Sequence, residues 1–67
     1  MRLLVNGEPT VLEPAPANVA ELLVQLRLPH ERVAVELNGE IVTRAERAAR
    51  AVHDGDSVEV VTLVGGG

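Results

Sequence analysis

Cysteine, lysine and aromatic residues are all missing from this 67-residue chain, and each absence closes off a class of function. Without cysteine there is no disulfide framework and no thiolate zinc site, so stability has to come from aliphatic packing and redox chemistry does not set the compartment. Without aromatic rings there are no stacking platforms for single-stranded nucleic acid. All six basic residues are arginines in a chain of net charge −4, and no basic cluster offers the phosphate neutralisation that drives nucleic-acid binding. With no lysine, no side chain can accept an isopeptide bond, so the chain could be joined to something through its C-terminus but could not readily build branches on itself. No apolar run approaches the roughly 20 residues that span a bilayer, and no basic segment with an apolar run opens the chain, which makes a cytoplasmic protein the expectation. At this length one small domain is expected, one that buries only about 60% of the surface its unfolded chain exposes.

What is present reads as a succession of short elements. Met1 to Asn6 is a β-rich run that meets Asn6-Gly7, the strongest two-residue signal for a type I′ hairpin. A turn centred there pairs Val5 with Glu8, Leu3 with Thr10 and Met1 with Leu12. Leu3, Val5 and Leu12 then share one face, and Arg2, Leu4, Pro9 and Val11 the other. The prolines in Glu13 to Ala17 make a connector. Asn18 is a natural N-cap with Glu21 three residues on, and Val19, Leu22, Leu23 and Leu26 fall at helical spacing, which predicts one helix from about Val19 to Leu26 ended by Leu28-Pro29. Arg32 to Leu37 alternates as a third strand, with Val33, Val35 and Leu37 on one face. Asn38-Gly39 repeats the hairpin signal before Glu40 to Val42. Thr43 and Glu46 form a capping box for a brief helical turn through Ala49. Asp54-Gly55-Asp56 is a turn, and Ser57 to Leu63 is the last strand.

The order is thus ββ, helix, ββ, short turn, β. A sheet needs its apolar face covered, and the single amphipathic helix is the only element able to do so. The compact solution lays that helix across the sheet and puts the last strand in the middle, parallel to the first. The expectation is an α+β, β-grasp (ubiquitin-like) fold: a mixed four- to five-stranded sheet covered on one face, with residues 1–64 as the domain and 65–67 as a flexible glycine tail. Such a tail presents a carboxylate on a stalk able to adopt angles closed to other residues and to thread a narrow slot. A merely frayed terminus is the simpler account of the glycines taken alone.

Other candidate groups are weaker. His30 and His53 sit beside turn signals with no further ligand to complete a metal or acid–base set. Asp54 and Asp56 suit a tight turn better than a cation site. Arg44, Arg47 and Arg50 at three-residue spacing read as a solvated face. On the outward side of the sheet Glu59, Val61 and Leu63 alternate with the inward Val58 and Val60, and Leu4 points outward on the neighbouring strand. Leu4, Val61 and Leu63, with Val64 at the root of the tail, are therefore expected to form an apolar partner surface.

The segments Asn18 to Leu23, Val33 to Val42 with Arg44, Asp54-Gly55-Asp56 and Val60 to Gly67 together resemble the ThiS family, the ubiquitin-like sulfur carriers of thiamine biosynthesis, over essentially the whole chain. Two positions depart from the family pattern: Thr43 stands where a proline commonly precedes the arginine matched to Arg44, and Gly65 stands where a polar residue commonly precedes the final two glycines. The extra glycine loosens the stalk and raises the entropy lost when a partner orders it. The resemblance implies a protein cosubstrate rather than an enzyme. A ThiF-like enzyme would use ATP to adenylate the Gly67 carboxylate, a sulfur donor system such as a cysteine desulfurase would convert it to a thiocarboxylate, and a ThiG-like thiazole synthase would take the sulfur. Gly65 and Gly66 would thread into the partner. No cofactor would be bound, no nucleic acid or membrane would be engaged, and the free protein would be a monomer. The absence of cysteine fits, because sulfur could then be carried only at the terminus. Other readings of the same features are the small subunit of molybdopterin synthase, a carrier for tRNA thiolation, a ubiquitin-like modifier of other proteins, or a plain β-grasp interaction module.

Overall fold

The computed structural model describes residues 1–63, so Val64 to Gly67, and with them the expected tail and the boundary before it, lie outside the described residues. Five strands form one sheet: β1 (Arg2–Val5), β2 (Glu8–Val11), β3 (Val33–Leu37), β4 (Glu40–Val42) and β5 (Ser57–Thr62), in the order β2-β1-β5-β3-β4. The last strand is central, parallel to β1 and antiparallel to β3. One helix, α1 (Val19–Gln25), covers one face. This is the expected β-grasp, with five strands.

Both hairpins follow from their Asn-Gly pairs. Asn6 and Gly7 have φ of 50° and 80°, and Asn38 and Gly39 have φ of 51° and 84°, the pair of positive angles that a type I′ turn requires. The first turn sets the register Val5 to Glu8 and Leu3 to Thr10, as the sequence implies. Alternation then buries Leu3, Val33, Val35, Leu37, Val58 and Val60 against Val19, Leu22 and Leu23 of α1, with Val42 and Val52 completing the core. Pro16 of the connector is fully buried as well. Thr62, in line with Val58 and Val60, is exposed.

Helix α1 starts where the cap predicts. Asn18 accepts a hydrogen bond from the Glu21 amide at 2.9 Å, and Glu21 reaches back to the Ala17 amide at 3.0 Å, one residue before the usual capping-box position. It ends at Gln25 for a reason other than Pro29. The Arg27 amide bonds the Val24 carbonyl and the Leu28 amide bonds the Leu23 carbonyl, and Arg27 has φ of 58°. This is a Schellman close with arginine in the position that glycine usually takes.

The stretch from Thr43 to Ala49 differs from expectation in form. The capping box between Thr43 and Glu46 is present, but it caps only a 3-10 turn, Arg44–Glu46. A second 3-10 turn, His30–Arg32, precedes β3. After Glu46 the chain runs back along the start of α1, where Val19 N–H donates to the Arg50 carbonyl and Ala51 bridges Asn18. None of the described helices is long and apolar enough to cross a membrane.

Candidate functional site

The site expected from the sequence is the end of β5 together with the glycines beyond it. Gly65, Gly66, Gly67 and Val64 lie outside the described residues, so the described part of the site is its root, from Val60 to Leu63.

That root is held from both sides. On the β1 side, β1 pairs with β5 only at Leu4 to Ser57 and Val5 to Val58 before its chain turns away. The Asn6 amide takes over where the backbone stops: its Oδ1 accepts from the Val60 N–H at 2.8 Å and its Nδ2 donates to the Val60 carbonyl at 3.2 Å. A side-chain amide here substitutes for one more strand residue. Asn38 does the same at the other end of β5. Its Oδ1 accepts from the Ser57 N–H at 2.9 Å, and its backbone N–H donates to the Ser57 carbonyl at 2.7 Å. Both hairpin asparagines therefore serve as turn residue and staple at once. From the sequence only the first role is expected. The signal for the second is the choice of Asn over Asp or Gly, since only the amide both donates and accepts.

On the β3 side the ladder runs from Leu37–Val58 to Val33–Thr62, and the Leu63 N–H donates to the Arg32 carbonyl at 2.6 Å. The carbonyls flanking Arg32 are held by arginines. Arg47 donates through Nη1 to the His30 carbonyl at 2.7 Å and through Nη2 to the Val33 carbonyl at 2.8 Å, and Arg44 donates through Nη2 to the Glu31 carbonyl at 3.1 Å.

Arg47 corrects the expectation of a solvated arginine face: it is only 5% exposed. Its Nε is buried without a hydrogen-bond partner among the described residues. Burial, reinforced by the Arg44 charge, pulls its pKa below the ordinary arginine value, which still leaves a guanidinium charged at neutral pH. Three-residue spacing on an irregular turn does not put three side chains on one face as it would on a longer helix. Arg44 is exposed apart from its one bond, and Arg50 pairs with Glu40 across to β4.

The outer face of the sheet carries Leu4, Val61 and Leu63 exposed at 42%, 60% and 52%. The register does not bring them together. Leu4 lies opposite Ser57, and Val61 is four residues further along β5, about 13 Å at 3.3 Å per residue. Val61 instead faces Ala34 of β3. Leu4 adjoins Pro9, and Arg2 adjoins Val11. Between the two apolar groups stands an acidic pair, Glu59 directly opposite Glu36. The expected single surface is thus two: Val61, Leu63 and Ala34 near the root of the tail, and Leu4, Pro9 and Val11 at the far end.

The remaining candidates are occupied with structure. Asp56 accepts from the His53 N–H and from Asn38 Nδ2, and Asp54 accepts from the Arg2 N–H at 2.7 Å. Gly55, at φ of 90°, donates to the Arg2 carbonyl. These are the bonds of a turn that fastens β1 to the start of β5. His30 contributes its carbonyl to Arg47, and the His53 ring is exposed, 4.0 Å from Asp56. Among the described residues no three His, Cys, Asp or Glu side chains gather closely enough to hold a metal ion.

Comparison with known proteins gives this geometry its context. The model of the ThiS family matches residues 1–67. The sulfur carrier protein ThiS of Thermus thermophilus is 41% identical over 63 residues, which are 94% of this chain and 95% of that one. The thiazole synthase of Paramagnetospirillum magneticum is 43% identical over 67 residues, all of this chain but 20% of that protein. A thiazole synthase of Magnetococcus marinus is 39% identical over the same length. The chain therefore spans about a fifth of the length of the thiazole synthases it matches. The crystal structure of the thiamine biosynthesis protein ThiS from Geobacter metallireducens superposes with a TM-score of 0.86 at 46% identity, covering 100% of both chains. By sequence over its full length and by fold, this chain belongs to the ThiS family.

Proposed function

We propose that this chain is a sulfur carrier of thiamine biosynthesis whose working atom is the carbonyl carbon of Gly67. The observation that carries the reading is the match to the ThiS family along residues 1–67, up to and including the terminal glycines. The chemistry starts from an α-carboxyl, which titrates at about 3.3–3.7 and is an anion at neutral pH, a poor electrophile. A ThiF-like enzyme makes it reactive: a Gly67 carboxylate oxygen attacks the α-phosphorus of ATP and pyrophosphate leaves, giving an acyl-adenylate. A persulfide sulfur from a cysteine desulfurase or its equivalent then attacks the carbonyl carbon and AMP leaves. Once a thiol has taken the donor's other sulfur, Gly67 ends as a thiocarboxylate. With no cysteine in the chain, no side chain competes as the carrier of that sulfur.

Thiazole synthase is the proposed acceptor, a choice supported by the two thiazole synthases that contain a segment like this chain. In this reading Gly65 and Gly66 thread the partner's slot, and Val61, Leu63 and Val64 dock beside it, with Leu4 at most at the margin. The chain is a cosubstrate: ATP is bound by the partner, and the carrier works as a monomer in the cytoplasm. Deleting Gly67 tests the assignment. The shortened chain is expected to support no thiazole formation in a reconstituted system, and full activity from it would overturn the proposal.

A further inference from the structure

Four consecutive carbonyls just before and at the start of β3 have unlike partners. Those of His30 and Val33 receive the two terminal nitrogens of Arg47, and that of Glu31 receives Arg44. Only the carbonyl of Arg32 faces β5, where it accepts from the N–H of Leu63, the last described residue before the glycines. Pro29 closes the same loop by accepting from the Arg32 N–H at 3.1 Å.

We propose that Arg47, assisted by Arg44, is a positioning residue: it locks the His30–Val33 backbone so that the Arg32 carbonyl pins Leu63 and sets the direction in which the tail leaves the sheet. This rests on the reading of the tail as the working part. Two features favour a positioning role over simple stabilisation. Arg47 is a buried cation with no carboxylate paired to it among the described residues; its terminal nitrogens are spent on the backbone carbonyls of His30 and Val33. What an apolar side chain cannot do is bridge two carbonyls three residues apart, and the planar fork of a guanidinium can. The lock also lies where it is needed. On the opposite side the last fixing of β5 is the Asn6 side chain at Val60, after its backbone N–H at the Val58 carbonyl, so beyond that point the described fixings of the strand come from the β3 side.

The lock acts on the cost of binding. A root held in one direction loses less freedom when an enzyme's slot takes up the tail, so releasing it raises KM and leaves kcat alone. Arg47→Met and Arg44→Met test this, with Arg44→Lys as the conservative variant that can still donate to Glu31. Amide hydrogen exchange is read at Leu63 and, for reference, at Val58. The kinetics of adenylation are read by ATP–pyrophosphate exchange with a ThiF-type enzyme. Arg47→Met is expected to speed Leu63 exchange about tenfold more than Val58 exchange and to raise KM about tenfold, the order of freeing one or two residues, while kcat holds. Arg44→Met is expected to do the same by about threefold, and Arg44→Lys to restore both. If Arg47→Met does not fold, the Arg44 pair decides. Unchanged Leu63 exchange and KM in a folded variant, or a uniform rise in exchange at both amides, overturns the proposal. If the unmodified chain is not adenylated at all, the functional reading fails, and the Leu63 and Val58 amides still decide whether the lock exists.

Discussion

Replacing Asn6 by glycine isolates the staple on β5. The backbone there has φ of 50°, which glycine accepts without strain, so the turn survives and only the side-chain amide is lost. That amide makes two hydrogen bonds to Val60, at 2.8 and 3.2 Å, and Val60 is buried. Two such bonds are worth about 0.5–1.5 kcal/mol each, and a buried polar group left without its partner costs about 1–3 kcal/mol. Part of this is recovered where water reaches the exposed edge, which leaves an expected loss of about 2 kcal/mol. Against a total stability of about 3–10 kcal/mol for a chain of this size, the effect is large. Urea denaturation followed by far-ultraviolet circular dichroism measures it. The midpoint should fall by roughly 2 M with no change in slope, for a slope near 1 kcal/mol/M, and Tm should drop by about 10 °C. A loss below about 0.5 kcal/mol would show that the Asn6 bonds do not hold β5 and would refute the reasoning.

The two apolar groups on the outer face should separate in function. Val61→Asp leaves the exposed residue's fold contribution intact but is expected to weaken binding to the adenylating enzyme by about tenfold, the size of a moderate interface contact. Leu4→Asp, on the far side of the Glu59–Glu36 pair, should change it by less than about threefold; equal effects in calorimetric titration would put the docking surface elsewhere. The Thr43–Glu46 capping box predicts an acid limb of stability. The Thr43 amide and hydroxyl, and the Arg50 charge, lower the Glu46 pKa below its ordinary 4.5 in spite of opposing desolvation. A carboxyl with a depressed folded pKa stabilises the fold above its unfolded value and loses that contribution as pH falls through the folded one. Melting temperature should therefore fall more steeply below about pH 4.5 in the unmodified chain than in Glu46→Gln, which keeps the amide contact and does not titrate; parallel profiles would contradict this.

Local signals account for how much was legible in the sequence. The two Asn-Gly pairs fix hairpin registers residue by residue, and Asn18, Glu21 and the leucine spacing fix the start and the buried face of α1. The parallel pairing of β1 with β5 is different. No turn connects those strands, so the offset that puts Leu4 opposite Ser57 is set by the whole of the intervening chain. Strand adjacency was legible, but the separation of Leu4 from Val61 was not. Arg47 escaped for a related reason. Its burial is decided by the His30–Val33 carbonyls, 14 to 17 residues away in sequence, and nothing near Arg47 announces them. The end of α1 is legible to within a residue but for the wrong cause, because an arginine closing a Schellman motif carries no glycine to mark it.

The most direct test of the central claim is the intact mass of the 67-residue chain after incubation with ATP, a ThiF-type adenylating enzyme and a persulfide donor. The account predicts a gain equal to the exchange of one oxygen for sulfur, localised by fragmentation to Gly67 and absent when ATP is omitted. An unchanged mass, under conditions in which an established ThiS protein is converted by the same enzymes, would contradict it.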